Sequence, residues 1–120
     1  MTDQIALEPV EYARAVVDTA SELQAYDVVL LDVRQACDFT DYFVILSVQS
    51  PRQTRNLIQE IEGVMRSQGV RLHHIEGTQE SGWILMDFGD LIVHILAPEE
   101  RDFYDLERVW PQAVELVRLQ

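Results

Sequence analysis

Apolar residues along this chain follow two patterns: some recur at every third or fourth position, and others form short continuous runs. The first pattern predicts helices and the second predicts buried strands. Residues 9–24 follow the helical pattern, with apolar positions at Tyr12, Ala13, Val16, Val17, Ala20 and Leu23. Pro9 suits the first turn of a helix, where its missing N–H costs no hydrogen bond. We therefore predict an amphipathic helix over residues 9–24.

A second helix is predicted over residues 51–68, and its start carries side chains that cap helices. Ser50 is a good N-cap residue, Pro51 suits the first helical position, and Gln53 completes a capping box. The apolar face of this helix consists of Leu57, Ile58, Ile61, Val64 and Met65. Gly69 follows at the position of a left-handed C-cap.

Short apolar runs predict five strands, at residues 28–33, 42–48, 70–76, 82–88 and 90–96. The polar segment between the first two strands is short, which makes them antiparallel neighbours. Gly89-Asp90 predicts a hairpin between the last two strands. Strand 42–48, helix 51–68 and strand 70–76 form a predicted right-handed βαβ unit.

The C-terminal region is predicted to be helical. Pro98 and two glutamates open a helix that continues through Phe103, Leu106 and Val109. Pro111 interrupts this helix, and a tail of residues 111–120 is predicted as a last short helix through Ala113, Val114 and Val117. The chain is thus expected to be one α/β domain, residues 1–120, with a mixed five-stranded sheet flanked by helices.

The charge balance bears on possible partners. The 120 residues include 21 acidic and 9 basic ones, which gives a formal net charge of −12, and every basic residue is an arginine. This charge repels the phosphate backbone of nucleic acids, whose binding depends on Lys and Arg. Direct nucleic-acid binding is therefore disfavoured and a basic protein partner is favoured. The alternative is that the acidity only keeps the domain soluble.

Several features indicate cytoplasmic localisation. Cys37 is the single cysteine and cannot form an internal disulfide, which fits a reducing compartment. Residues 1–12 lack the basic region of a secretory signal. No apolar run approaches the roughly 20 residues that span a bilayer. We expect no membrane partner.

Carboxylates at strand ends raise the possibility of an enzyme. Asp32, Asp41, Asp87 and Asp90 lie where predicted strands begin or end, and a metal-dependent nucleotidyl or phosphoryl transferase uses carboxylates in such places. However, the chain has neither a glycine-rich phosphate loop nor a lysine to hold phosphates. We interpret these aspartates mainly as turn caps or partner contacts and keep the transferase as the alternative.

The histidines and the cysteine form no recognisable site. His73 and His74 are adjacent and so face opposite sides of a strand. No spacing typical of zinc ligands joins them to His94 or Cys37. His94, inside an apolar strand, is expected to make one buried hydrogen bond. We predict no catalytic residue, no metal and no cofactor.

The side chains of the C-terminal third are typical of protein interfaces. Trp83 begins a strand after a glycine, where its ring can stay at a sheet edge. Arg101, Tyr104 and Glu107 are expected to share one helical face, and Trp110 follows them. Trp, Tyr and Arg are the residue types most enriched at interface hot spots. Alternatively, the two tryptophans pack in or around the core.

The sequence resembles the ribosomal silencing factor (Iojap-like) family over residues 12–110. The resemblance is carried by the order and spacing of DVVLLDV at 27–33, TDYFVI at 40–45, SPRQ at 50–53, EG at 76–77, GWILMDFGDLIVHI at 82–95 and RDFYDLERVW at 101–110. Cys37 and Ser47-Val48-Gln49 depart from the family pattern, in which small hydroxyl residues and a Gly/Thr-rich stretch are usual.

The resemblance implies a nucleotidyltransferase-like fold without the catalytic signature. It also implies a non-enzymatic homodimer that binds the large ribosomal subunit through the basic ribosomal protein L-fourteen. By the same resemblance, binding would block joining of the small subunit and repress translation under nutrient limitation, and a role in maturation of the large subunit is also implied. The implied partner-binding residues, some of which could serve the dimer, are Trp83, Asp87, Asp90, Arg101, Tyr104, Glu107 and Trp110. A structural dimerisation module without ribosome affinity is a further alternative.

Overall fold

A computed structural model describes residues 8–120, so most of the N-terminal segment considered above as a secretory signal lies outside the described residues. The elements in chain order are α1 Pro9–Glu22, β1 Tyr26–Asp32, β2 Tyr42–Ser47, α2 Pro51–Ser67, β3 His74–Glu76, β4 Trp83–Asp87, β5 Leu91–Leu96, α3 Pro98–Tyr104, α4 Leu106–Val109 and β6 Val114–Leu119. Within residues 8–120, no helix has the length and apolar character needed to cross a bilayer.

Helices α1 and α2 begin and pack as their sequence patterns predict. The N–H of Gln53 donates to the Ser50 hydroxyl over 3.1 Å, which caps α2. The Gln53 side-chain oxygen accepts a bond of 2.8 Å from the N–H of Gln49, and not from that of Ser50 as a capping box requires. Leu57 and Ile61 of α2 are completely buried, so the apolar face of the helix lies against the sheet as expected.

The sheet has six strands in the order β3-β4-β5-β2-β1-β6, and the predicted count of five was therefore wrong. Strands β2 and β5 are parallel, and every other neighbouring pair is antiparallel. The predicted antiparallel pair β1–β2 and the hairpin β4–β5 are confirmed. Strands β2 and β3 run in the same direction, as in a βαβ unit, but β5 and β4 lie between them.

The extra strand is β6, so the prediction of a helical C-terminal tail was also wrong. Strand β6 pairs antiparallel with β1, and the register shifts opposite Leu30 and Leu31. Because of this shift, Glu115 pairs with Leu31 and Arg118 with Val29, which places two residues three positions apart on the same face. The bulge thus hides the two-residue period of the strand and imitates helical spacing.

The two faces of the sheet are covered unequally. On the first face, α1 and α2 pack against strand residues that include Val28, Leu30, Val44 and Met86. On the second face, α4 and the segment 36–39 cover part of a smaller cluster around Leu31, Phe43, Ile45 and Ile92. Helices therefore flank both faces, as predicted, but only the first face lies under two long helices.

Candidate functional site

A row of aromatic rings follows the second face of the sheet, and it includes three of the predicted partner-binding residues. In order, the rings of this aromatic row belong to Phe39, Trp110, Phe43, His94, Trp83, Tyr104 and Phe103. The distances between neighbouring ring centroids range from 4.6 to 5.9 Å. These distances are those of favourable edge-to-face and tilted pairs, so each ring helps to orient the next one.

One end of the aromatic row forms an open groove. The Trp83 groove, lined by Glu76, Gly77, Ser81, Trp83, Leu85 and Tyr104, has a volume of about 300 Å³. Trp83 and Tyr104 are the two rings that line this groove, and their centroids, 4.6 Å apart, are the closest in the aromatic row. The neighbouring Phe103 is 81% exposed and Tyr104 is 43% exposed. The groove therefore combines exposed aromatic surface with the exposed carboxylate of Glu76, whose Oε2 lies 3.0 Å from Nε2 of His74. This combination suits an apolar side chain with a positive charge beside it.

Arg101 and Glu107 support this end of the molecule from inside. Asp105 has a φ of +47° and ends α3, so the two residues lie in separate helices and not on one continuous helical face as predicted. The Arg101 guanidinium donates to the Ser47 hydroxyl over 2.9 Å and to the Glu107 carboxylate over 3.2 Å. Only 9% of the Arg101 side chain is exposed, so this charge serves the domain's own structure.

The charge of Glu107 is stabilised by two arginines. Burial alone would raise the pKa of Glu107, but the hydrogen bond and charge of Arg101, assisted by Arg118, outweigh burial and lower the pKa. Arg118 lies 3.6 Å from the Glu107 carboxylate and 2.8 Å from that of Glu115. The chain of charges therefore ties α3 and α4 to the edge strand β6.

Trp110 occupies the opposite end of the aromatic row. Its ring lies 5.6 Å from that of Phe43 and 5.8 Å from that of Phe39. Trp110 is partly buried against the second-face cluster, whereas Phe39 is 57% exposed. Trp110 thus packs at the rim of the domain and is separated from the Trp83 groove by the rings of Phe43 and His94.

Asp87 and Asp90 lie at the other end of β4 from Trp83. Trp83 and Asp87 are the first and last of the five residues of β4, so they lie roughly 13 Å apart at the usual rise of a strand. The Asp87 carboxylate accepts a bond of 2.8 Å from the N–H of Gly89, whose φ of +93° completes the hairpin turn. Asp90 is exposed. The structure therefore brings Trp83 and Tyr104 together but does not bring these aspartates to them.

The strand-end aspartates of the alternative hypothesis lie near one another without forming a metal site. The backbone carbonyl of Asp90 accepts bonds from the N–H groups of Asp41 and Tyr42. The Arg34 guanidinium donates a hydrogen bond to the Asp32 carboxylate, and this bond lowers the pKa of Asp32. In residues 8–120, no three His, Cys, Asp or Glu side chains are arranged to hold a metal ion. Nothing in this geometry favours a metal-dependent transferase.

Three further residues, Leu85, Phe103 and His94, lie at or beneath this surface, although their sequence pattern did not indicate an interface. Leu85 lies two residues after Trp83 in the same strand, and this spacing alone would have placed both side chains on one face. Phe103 precedes Tyr104 and is an exposed aromatic beside it. His94 lies beneath Trp83 through strand pairing, which no local sequence pattern reveals.

Comparison with known proteins identifies the family of the chain. The family described as ribosomal silencing factor during starvation matches residues 6–120. The chain belongs to the ribosomal silencing factor family. Its relative from Bacillus subtilis, named ribosomal silencing factor RsfS, is 33% identical over 90 residues, which cover 75% of this chain and 76% of the relative.

A mouse protein with a mitochondrial name and a bacterial protein of known crystal structure are also similar to this chain. A mouse protein named mitochondrial assembly of ribosomal large subunit protein 1 is 32% identical over 89 residues, covering 72% of this chain and 39% of the mouse protein. A crystal structure of a Chromobacterium violaceum protein superimposes with a TM-score of 0.82 at 26% identity, covering 88% of each chain. The names of the relatives describe ribosome-associated regulation and assembly, not catalysis.

Proposed function

We propose that this protein binds the large ribosomal subunit through the basic ribosomal protein L-fourteen. Once bound, it occupies the surface that the small subunit needs, and translation is repressed under nutrient limitation. Membership of the ribosomal silencing factor family supports the ribosomal partner. The observation that carries the proposal is the Trp83 groove, where exposed rings and a carboxylate meet on a domain with a net charge of −12.

The proposed binding needs only complementary surfaces. A strongly acidic domain is attracted to a basic protein, which raises the rate of encounter and aligns the two surfaces. Contact between aromatic rings and an apolar side chain of the partner then supplies affinity at the centre of the interface. The bound domain excludes the small subunit by its volume, so no catalytic group is required.

The predicted residues take different roles in this proposal. Trp83 and Tyr104 contact the partner directly, and Asp87 and Asp90 attract its Lys and Arg side chains from farther along the face. Arg101, Glu107 and Trp110 act from within the domain, by holding the helices and rings that form the surface. This division follows from the burial of Arg101 and the exposure of Tyr104.

The proposal includes a homodimer in the cytoplasm. Strand β6 is an edge of the sheet, and its apolar side chains Val114, Leu116 and Leu119 are exposed. Such an edge is a ready site for pairing with another strand. Sedimentation equilibrium at increasing protein concentrations should therefore reveal a dimer; a mass that stays monomeric at all concentrations would remove this part of the proposal.

Co-sedimentation with purified large subunits tests the central claim. We expect the unaltered protein to pellet with the subunits, and Tyr104→Ala to weaken binding by about tenfold or more, since it truncates a hot-spot aromatic. Glu76→Gln should weaken binding mainly at low salt, because it removes one attractive charge. Glu62→Gln is the matched control, because Glu62 lies on α2, which packs on the other face of the sheet, and it should leave binding unchanged.

Two further measurements separate this function from its alternatives. Added L-fourteen should compete with the subunits for the protein, and bound protein should reduce association of the two subunits in light scattering. If the unaltered protein pellets no more than an unrelated acidic protein, ribosome binding is refuted. If it binds but subunit association is unchanged, the repression mechanism is refuted.

A further inference from the structure

His94 is a buried polar residue with an unusual hydrogen-bonding state. It lies in β5 and is 5% exposed. Its Nδ1 atom is 3.1 Å from the indole Nε1 of Trp83. Among the residues that the structure describes, its other ring nitrogen, Nε2, is buried without a hydrogen-bond partner. A polar ring in this environment costs free energy that an apolar side chain would not.

The partner of Nδ1 determines the chemical state of the imidazole. An indole N–H can only donate a hydrogen bond, so Nδ1 must be the unprotonated acceptor and the proton of a neutral ring must be on Nε2. Burial lowers the pKa of His94 to about 4, which keeps the ring neutral at physiological pH. His94 is therefore a stable acceptor directed at Trp83.

The Trp83 ring is restrained from two sides. Its N–H donates to His94, and its ring lies against that of Tyr104, with centroids 4.6 Å apart and an interplanar angle of 50°. On the far side of His94, the Phe43 ring meets the imidazole almost at right angles, with centroids 4.9 Å apart. His94 is thus fixed by packing and in turn fixes the polar edge of Trp83.

We propose that His94 is a positioning residue for partner recognition, which holds the Trp83 indole in the orientation that forms the wall of the Trp83 groove. This role rests on the proposed function of that groove. A Trp side chain held in its binding orientation before contact loses less conformational freedom on binding, and such preorganisation increases affinity. Because its N–H is already bonded, Trp83 offers the partner its ring surface and not a hydrogen-bond donor.

The role of His94 predicts a spectroscopic signature at the Trp83 indole N–H. In proton–nitrogen NMR spectra the two tryptophans should give two indole signals, and the Trp110→Phe variant assigns them. In His94→Leu, the Trp83 signal should move upfield and its proton should exchange with solvent about fivefold faster, as expected for loss of one ordinary hydrogen bond. In His94→Asn, the Trp83 signal should return most of the way to its original position. The side-chain oxygen of asparagine is attached to Cγ, as Nδ1 is in histidine, so it can accept the same hydrogen bond.

The same variants then test recognition by co-sedimentation with large subunits. His94→Leu should weaken binding about fivefold, and His94→Asn should bind more tightly than His94→Leu. Trp83→Phe removes the indole N–H that donates to His94. In the Trp83→Phe background, His94→Leu should therefore have no further effect on binding. Thermal unfolding of each variant establishes that it is folded. If His94→Leu does not fold, His94→Asn replaces it in this cycle: any loss of binding that it causes should vanish in the Trp83→Phe background, and a loss that persists there overturns the proposal.

Each outcome supports or overturns the proposal. An unchanged Trp83 indole signal in His94→Leu overturns it, because His94 then does not hold the ring. A changed signal with unchanged binding, while Tyr104→Ala loses binding, also overturns it and leaves the proposed function intact. If the unaltered protein does not bind large subunits, the proposed function fails together with the role of His94 in recognition, and the indole signal alone still reports whether the ring is held.

Discussion

Replacing Arg101 by methionine should destabilise the domain strongly, although the residue lies in a short helix near the surface. Arg101 is the link between α3, the buried Ser47 and Glu107 of α4. Methionine retains much of the apolar stem of the side chain but neither donates a hydrogen bond nor carries a charge. The change therefore isolates the guanidinium group.

The expected magnitude follows from the partners that Arg101 leaves behind. Ser47 is 1% exposed and would lose a hydrogen bond. Glu107 would keep only the more distant Arg118, at 3.6 Å. Removing one member of a buried ion pair costs about 3–5 kcal/mol, but the Glu107 side chain is 24% exposed and water can partly replace its partner. We expect a loss of about 2–3 kcal/mol, which lowers the melting temperature by roughly 8–12 °C.

Urea denaturation followed by far-ultraviolet circular dichroism measures this loss. Glu107→Gln and the double variant complete a thermodynamic cycle, in which we expect a coupling of about 1–2 kcal/mol between the two residues. The pKa of Glu107 is lower in the folded protein than its ordinary value of 4.5. The coupling should therefore be fully present above that pH and should disappear as the pH falls through the lower folded value.

Either of two results would refute this role of the Arg101 guanidinium. If Arg101→Met costs less than about 0.5 kcal/mol, a value typical of surface changes, the guanidinium contributes little to the fold. If the loss is large but independent of Glu107 and of pH, the ion pair is not its cause.

Two other predictions concern the core. Burial lowers the pKa of His94 from 6.5 to about 4. The unfolded chain therefore takes up a proton at a higher pH than the folded one. As the pH drops from 6.5 towards 4, the free energy of unfolding should fall by up to about 3 kcal/mol. Urea titrations across this range should show a smaller fall for His94→Leu; equal falls would contradict the assignment. Leu57→Ala on α2 should cost about 3–4 kcal/mol at neutral pH, since the side chain is completely buried, and a loss below about 1 kcal/mol would mean that α2 packs loosely.

The elements that the sequence predicts correctly are those whose stability is encoded locally. Helices α1 and α2 have amphipathic faces and clear starts, and the β4–β5 hairpin has a glycine at its turn. Strand β6 depends instead on pairing with the distant β1. Its bulge imitates the spacing of a helix, so no local pattern distinguishes the two structures.

The candidate site shows the same limit at the level of side chains. Residue types typical of interfaces drew attention to Trp83 and Tyr104, and the structure places these two rings side by side; that they bind a partner stays a prediction. The expected single helical face of Arg101, Tyr104 and Glu107 failed because Asp105 adopts a left-handed conformation and breaks the helix. The position of His94 beneath Trp83 follows from the pairing of β4 with β5, and this pairing can be assigned only once the hairpin register is known.

Two long helices cover one face of the sheet, and two short ones cover only part of the other. Substitutions on the two faces should therefore differ in how strongly they destabilise the domain. A change on the first face disturbs the layer that accounts for most of the buried apolar side chains. A change at an exposed position around Trp83 and Tyr104 meets fewer neighbours and should destabilise the fold less. Exposed positions on the second face should therefore tolerate substitution better than positions beneath the two long helices.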